Sequence, residues 1–128
     1  MKIIIGIPAF NEEKNIGSLI VDLKKIYDSV LVCDDGSSDA TSSIASEMGA
    51  IVVKHSKNQG YGSAIKTIFN ECKKIDCDIL ITFDADGQHQ ISEIDDVLKP
   101  IIDNTADIVI GSRFLGKTKN LPKYRKFG

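Results

Sequence analysis

No apolar stretch in this sequence approaches the roughly 20 residues of a membrane-crossing helix. Met1-Lys2 leads directly into Ile3-Ile4-Ile5-Gly6-Ile7, which Pro8 cuts too short for a secretory leader. No Gly-x-Gly-x-x-Gly follows this first apolar run and no P-loop occurs, so the dinucleotide-binding fingerprint and the NTPase phosphate cradle are both missing. The three cysteines, Cys33, Cys72 and Cys77, are odd in number and lack zinc-ligand spacing. Cys33 sits in an apolar run, and the set reads as reduced thiols in a cytosolic setting. A net charge of -2 excludes a chain-wide affinity for nucleic acid. No repeat, low-complexity tract or linker divides the 128 residues, a length that suits one compact domain with a real core.

The charge that is present is unevenly placed. From Arg113 onward the chain has six basic residues (Arg113, Lys117, Lys119, Lys123, Arg125 and Lys126) and no acidic one. A basic end beside an acidic body suits contact with phosphate or an anionic membrane surface, and equally a solvated chain end.

Apolar runs alternate with helical periodicities. Lys2–Ile7, Val30–Cys33, Ala50–Val53, Asp78–Phe83 and Asp107–Ile110 are short, β-branched and nearly continuous, as expected of strands covered on both faces. Between the first two, Ile16, Leu19, Ile20, Leu23 and Ile26 fall on one helical face, with Asn11 as a candidate cap. A second helix is predicted to start at Ser38 or Asp39 and to stop at Gly49. A third is predicted from about Tyr61 to Lys74, burying Ala64, Ile65, Ile68, Phe69 and Cys72. A fourth has Ser92 as cap, Asp95 three residues on, and Pro100 in or near its end. The alternation predicts an α/β fold, a mostly parallel sheet with helices on both faces. The stretch from Gly111 to Gly128 shows no clear strand pattern.

Ligands of open α/β sheets bind at the carboxyl ends of the strands. Following the five runs are Pro8-Ala9-Phe10-Asn11-Glu12-Glu13, Asp34-Asp35-Gly36-Ser37-Ser38-Asp39, Lys57-Asn58-Gln59-Gly60-Tyr61-Gly62, Asp84-Ala85-Asp86-Gly87-Gln88-His89 and Gly111-Ser112-Arg113-Phe114. Polar and glycine-rich residues therefore crowd one edge of the sheet. Asp84 and Asp86, at i and i+2, point the same way from an extended segment and repel unless a cation or a proton intervenes. Oxygen ligands suit Mg²⁺ or Mn²⁺, with Gln88 or His89 as a further ligand. The plain alternative is an acidic turn closed by Asp86-Gly87. The buried run before the pair makes idle carboxylates costly and favours the metal. Of Asp34 and Asp35, one can accept from a nucleobase N–H while the other holds its loop; a turn that caps the second helix explains both equally well. Asn58-x-Gly60-x-Gly62 permits close backbone approach to a ligand. Arg113 suits a phosphate, or is simply a surface residue of the basic end.

These five segments, in this order, resemble the family 2 inverting glycosyltransferases of GT-A fold, most closely the branch that glycosylates dolichyl or polyprenyl phosphate. The matching pieces are Ile7–Glu13, Val32–Asp39, Asn58–Ala64, Phe83–Gln88 and Gly111–Phe114. The resemblance implies a Rossmann-like donor-binding domain over residues 1–128. In it, Pro8, Ala9, Phe10 and Glu12 border the nucleotide, Asp84 and Ala85 also bind it, and Asp35 reads the base. Asp84 and Asp86, with Gln88 beside them, hold the diphosphate through the metal, and Arg113 steadies phosphate charge. Leu121-Pro122-x-x-Arg125-x-x-Gly128 resembles the start of the acceptor region, so the acceptor half is expected to be incomplete. In many family 2 enzymes a catalytic Asp lies beyond this point. A lipid phosphate needs no such base, because its oxygen is already an anionic nucleophile.

The expected reaction is in-line displacement of a hexose from a GDP- or UDP-linked donor, with inversion, at the cytoplasmic membrane face. A second expectation is a donor-binding module that transfers nothing alone. A phosphatase or receiver-like domain fits poorly, since the key Asp of such domains follows the first or third strand and here Pro8-Ala9-Phe10 follows the first.

Overall fold

The computed structural model describes residues 2–85 and the backbone of two further strands, 108–110 and 123–125. Along the chain these residues form β1 (Ile3–Ala9), α1 (Ile16–Lys24), β2 (Ser29–Asp34), α2 (Thr41–Glu47), β3 (Ile51–Lys54), α3 (Tyr61–Ile75), β4 (Ile79–Thr82), β5 (Ile108–Ile110) and β6 (Lys123–Arg125). The strands make one sheet in the order β3-β2-β1-β4-β5-β6, parallel throughout except for the antiparallel β5–β6 pair. The fourth helix expected around Ser92 lies outside the described residues.

Strand side chains alternate between two cores. On one face Ile5, Ile7, Val30, Val32, Ile79 and Ile81 pack with Ile16, Leu19, Ile20 and Leu23 of α1 and Ala45 of α2. On the other, Ile4, Leu31, Cys33 and Leu80 meet Ala64, Ile68 and Cys72 of α3. Each fully buried Ile, Leu or Val contributes about 1.5–3 kcal/mol. Helix α3 approaches β1 closely at Gly6, where a β-carbon would fall 2.6 Å from Ile68 Cγ2.

From β1 the chain moves to one side, through β2 to β3. It then crosses back under α3 to β4 and β5 on the other side. The strand order therefore reverses between β1 and β4, and the carboxyl ends of those two strands flank the crevice where such sheets take ligands.

Four local expectations are corrected. Helix α1 ends at Lys24, and Lys25 N–H bonds back to Asp22 O, three residues earlier. This tighter turn leaves Ile26 57% exposed and buries Tyr27 instead. Asn11 does not cap α1. It has left-handed backbone (φ 52°) while Asn15 takes the cap position. Lys123–Arg125 forms β6 where no strand pattern was visible, since a short, charged edge strand pairs through its backbone and leaves no apolar alternation. Finally, Cys72 and Cys77 are paired as a disulfide and not reduced. Asp76, in left-handed conformation at the end of α3, turns the chain so that Cys77 N–H bonds to Cys72 O, and the two Cα atoms lie 5.5 Å apart. Cys33 is the free, buried thiol.

Candidate active site

The loop after β1 is docked on the loop after β2 through three consecutive amides. Asn11 N–H donates to Ser37 Oγ (2.8 Å), Glu12 N–H to Thr41 Oγ1 (2.9 Å) and Glu13 N–H to Asp39 Oδ2 (3.2 Å). Asn11 Oδ1 accepts in return from Ser38 N–H at 2.9 Å. This exchange explains the left-handed Asn11, because asparagine tolerates that conformation and its amide oxygen is then placed to accept. Burial works against the Asp39 carboxylate, but the Thr41 hydroxyl, Thr41 N–H and Glu13 N–H outweigh it and hold its pKa below the usual value.

Neither aspartate of the second loop is idle. Asp34 is fully buried; its Oδ1 accepts from Ser37 N–H (2.9 Å) and its Oδ2 from the Ser42 hydroxyl (2.7 Å). Asp35, 4% exposed, ties the second loop to the third. Its Oδ1 accepts from His55 Nδ1 (2.7 Å) and Gln59 N–H (2.9 Å), and its Oδ2 from Gly60 N–H (2.8 Å). Burial opposes ionisation of Asp35, yet the His55 bond, the two amides and the charge on His55 together bring its pKa below the usual carboxylate value. The third loop also packs directly on the second. Gly36 has φ +75°, and a β-carbon there would lie 2.4 Å from the Lys57 carbonyl carbon. Cys33, beneath these groups, has its thiol pushed up to about 11 by burial and then by the charges of Asp35 and Asp34, which disfavours its thiolate form.

On the β4 side, Phe83 N–H bonds to Gly6 O at 2.8 Å and sends the chain to the crevice. There Asp84 is half-buried, Ala85 is buried, and the Tyr61 hydroxyl at the head of α3 donates to Asp84 Oδ1 at 3.3 Å. Pro8 and Ala9 are buried at the end of β1, Phe10 is 46% exposed, and Glu12 is half-buried. The structure thus gathers Pro8, Ala9, Phe10, Glu12, Asp35, Asp84 and Ala85 along one sheet edge. Asp86, Gln88 and Arg113 lie outside the described residues. Among the described residues no three His, Cys, Asp or Glu side chains converge as a metal cluster. No described helix is long and apolar enough to cross a membrane.

His55 was not among the expected site residues. It sits one residue past β3, whereas the loop expected to follow that strand begins at Lys57. Its place at the polar edge was the one available signal.

A mostly parallel sheet with a carboxylate at its switch point and interlocked strand-end loops defines a Rossmann-like α/β domain with its polar loops along one edge. The chain belongs to Glycosyl transferase family 2, whose profile matches residues 4–127. It is 36% identical over 142 residues to the UDP-N-acetylglucosamine–dolichyl-phosphate N-acetylglucosaminyltransferase of Methanococcus voltae, covering 95% of this chain and 57% of that protein. It is 35% identical over 136 residues to the dolichol-phosphate mannosyltransferase of Pyrococcus furiosus, covering 98% of this chain and 38% of that protein. Among solved structures it resembles glucosyl-3-phosphoglycerate synthase of Mycobacterium tuberculosis in complex with Mn²⁺, UDP and glucosyl-3-phosphoglycerate. That likeness has a TM-score of 0.56 and 29% identity, over 66% of this chain and 33% of that one. The chain spans about half the length of the curated relatives it matches first. The fold is the GT-A arrangement implied by the sequence resemblance.

Proposed function

We propose that this chain is the donor-binding half of a metal-dependent hexosyltransferase that moves a sugar from a GDP- or UDP-linked donor to a polyprenyl or dolichyl phosphate with inversion. The observation that carries this reading is the position of Asp84, a half-buried carboxylate at the β1–β4 switch point. It stands in a chain whose relatives include two dolichyl-phosphate glycosyltransferases.

Asp84, Asp86 and Gln88 offer only oxygen donors and so fit a hard Mg²⁺ or Mn²⁺ ion. Such an ion, when bound, supplies charge neutralisation at the leaving diphosphate. Pro8, Ala9, Phe10 and Glu12 border the nucleotide. Asp35 serves it by holding the third loop, since its oxygens already accept from His55, Gln59 and Gly60. Direct base reading uses the acceptor capacity that these three bonds leave on the carboxylate. Arg113 steadies phosphate charge. The acceptor's phosphate oxygen attacks the anomeric carbon from the face opposite the leaving group and needs no protein base.

Calorimetric titration of UDP and GDP, with and without Mn²⁺, tests the donor half. A full-length transfer assay to a polyprenyl phosphate tests the reaction. Metal-dependent binding of one nucleotide, lost in Asp84→Asn, is expected; transfer at the wild-type rate by Asp86→Ala would sink the proposal. A second reading, a donor-binding module, draws on every described candidate residue being one assigned above to the donor. Binding with no transfer in any setting selects it. We place the activity at the cytoplasmic membrane face, with the basic segment from Arg113 on near anionic headgroups. The Cys72–Cys77 disulfide opposes that placement, because disulfides are uncommon in reducing compartments. Counting thiols on freshly lysed, denatured protein decides the point.

A further inference from the structure

His55 lies at the centre of a part-buried polar chain in which the proposed function gives a role to Asp35 alone. Its side chain is 10% exposed. Nδ1 stands 2.7 Å from Asp35 Oδ1, Nε2 stands 2.8 Å from Thr67 Oγ1 on α3, and Cys33 Sγ lies 3.7 Å from Nε2. An ionised Asp35 only accepts, so Nδ1 carries a proton and donates, while the Thr67 hydroxyl, able to donate or accept, pairs with Nε2. The ring is thereby fixed at both ends, between the end of β2 and the inner face of α3. Its own amide donates to Asp34 O at 2.8 Å, which leaves the backbone little freedom to re-aim the ring.

The consequence travels outward through Asp35. The carboxylate that His55 orients is the one that accepts from Gln59 N–H and Gly60 N–H. Gly60 has φ +103°, a conformation held by those bonds and open to glycine, and the next residue is Tyr61. Tyr61 begins α3 and donates to Asp84 Oδ1. A sequence of direct contacts thus joins His55, Asp35, the Gln59–Gly60 amides, Tyr61 and Asp84.

The geometry points to His55 as a positioning residue for the donor site: by holding Asp35 in one orientation it sets the Gln59–Tyr61 segment, and through it the Asp84 carboxylate. This inference rests on the donor-site reading above for its ligand, but not for its first half. His55 touches no reacting atom in this scheme.

The test compares His55→Asn, His55→Gln and His55→Ala in the same chain. An asparagine amide nitrogen falls where Nδ1 stood and keeps the bond to Asp35. A glutamine amide reaches the Nε2 position and keeps Thr67 instead. Two measurements are made, namely hydrogen exchange at the Gln59 and Gly60 amides and calorimetric titration of UDP and GDP with Mn²⁺. The expected result is faster exchange at both amides and a Kd raised about tenfold or more for Gln and Ala, the scale of one lost charge-assisted bond. Asn should stay within about threefold of wild type. A residue that merely fills space would show the opposite order, since glutamine replaces more of the ring. Equal exchange and equal Kd for Asn and Gln overturn the proposal, even if Ala fails to fold. If wild type binds neither nucleotide, the donor-site reading fails; the exchange comparison still decides whether His55 governs the loop through Asp35.

Discussion

Substituting alanine at Gly36 tests the contact between the second and third loops. Two costs combine at this position. The backbone has φ +75°, where a β-carbon costs about 1–2 kcal/mol. That β-carbon would also lie 2.4 Å from Lys57 C and 2.5 Å from Asn58 N, so backbone, not a flexible side chain, has to move. Overpacking of this kind adds roughly 1–3 kcal/mol. Gly49 provides the control, with φ +92° and, as its nearest obstacle, the Lys24 ammonium at 2.7 Å, the far end of a flexible side chain held by an exposed bond to Gly49 O. Gly49→Ala therefore carries the dihedral cost almost alone. Subtracting the two isolates the loop–loop overlap at about 1–3 kcal/mol, or roughly 4–12 °C in Tm at about 4 °C per kcal/mol for a chain of this size. Thermal unfolding followed by circular dichroism, with denaturant melts to confirm, gives both values. Gly36→Ala and Gly49→Ala melting at the same temperature would refute the reasoning, because the loops would then not be in fixed contact.

Asp35→Asn should destabilise the fold at pH 7 by about 1–3 kcal/mol, since an amide presents a donor to N–H groups that need an acceptor. The folded-state pKa of Asp35 lies below its ordinary value. Its contribution is therefore complete above the unfolded pKa, about 3.9, and is lost as pH falls through the folded value, so the gap from wild type should close on acidification; a gap undiminished at pH 3 counts against this. Ile68→Ala should cost about 2–5 kcal/mol. Combined with Gly6→Ala it should cost less than the two singles added, because the methyl that Gly6→Ala would strike is gone; strict additivity would show that α3 does not press on β1 there. Cys33, buried and with its pKa near 11, should be alkylated by iodoacetamide at pH 8 about 100-fold or more slowly than a free thiol, and rapid labelling of folded protein would contradict that placement.

The strands were legible because parallel strands covered on both faces must be apolar nearly throughout, as in Ile3–Ala9 and Ser29–Asp34. The site edge was legible because loops after such strands share one side of the sheet. Features set by particular hydrogen bonds were not. Asn11 has the composition of a cap, and only the acceptors on the second loop show that it docks there instead. The burial of Ile26 turned on where α1 tightens, which periodicity does not register. The Cys72–Cys77 pairing depends on the left-handed Asp76 between them, a conformation that an aspartate does not announce. Asp35 reads as a free acceptor in the sequence, yet its partners come from residues 20 to 25 positions away.

The central place of β1 in the sheet also governs how the molecule is made. The β1–β2–β3 half is complete within the first 54 residues, but the other edge of β1 is matched by Ile79–Thr82, with α3 intervening. A growing chain therefore carries a half-sheet in the order β3-β2-β1 whose edge strand β1, one of the most apolar segments, stays open on one side until β4 emerges. At translation rates of about 5–20 residues per second that interval lasts seconds. It is the period in which this protein is most exposed to wrong strand pairing. Helix α3, packed over Ile4, Leu31 and Cys33, covers the face of that half-sheet, but only β4 satisfies the β1 edge.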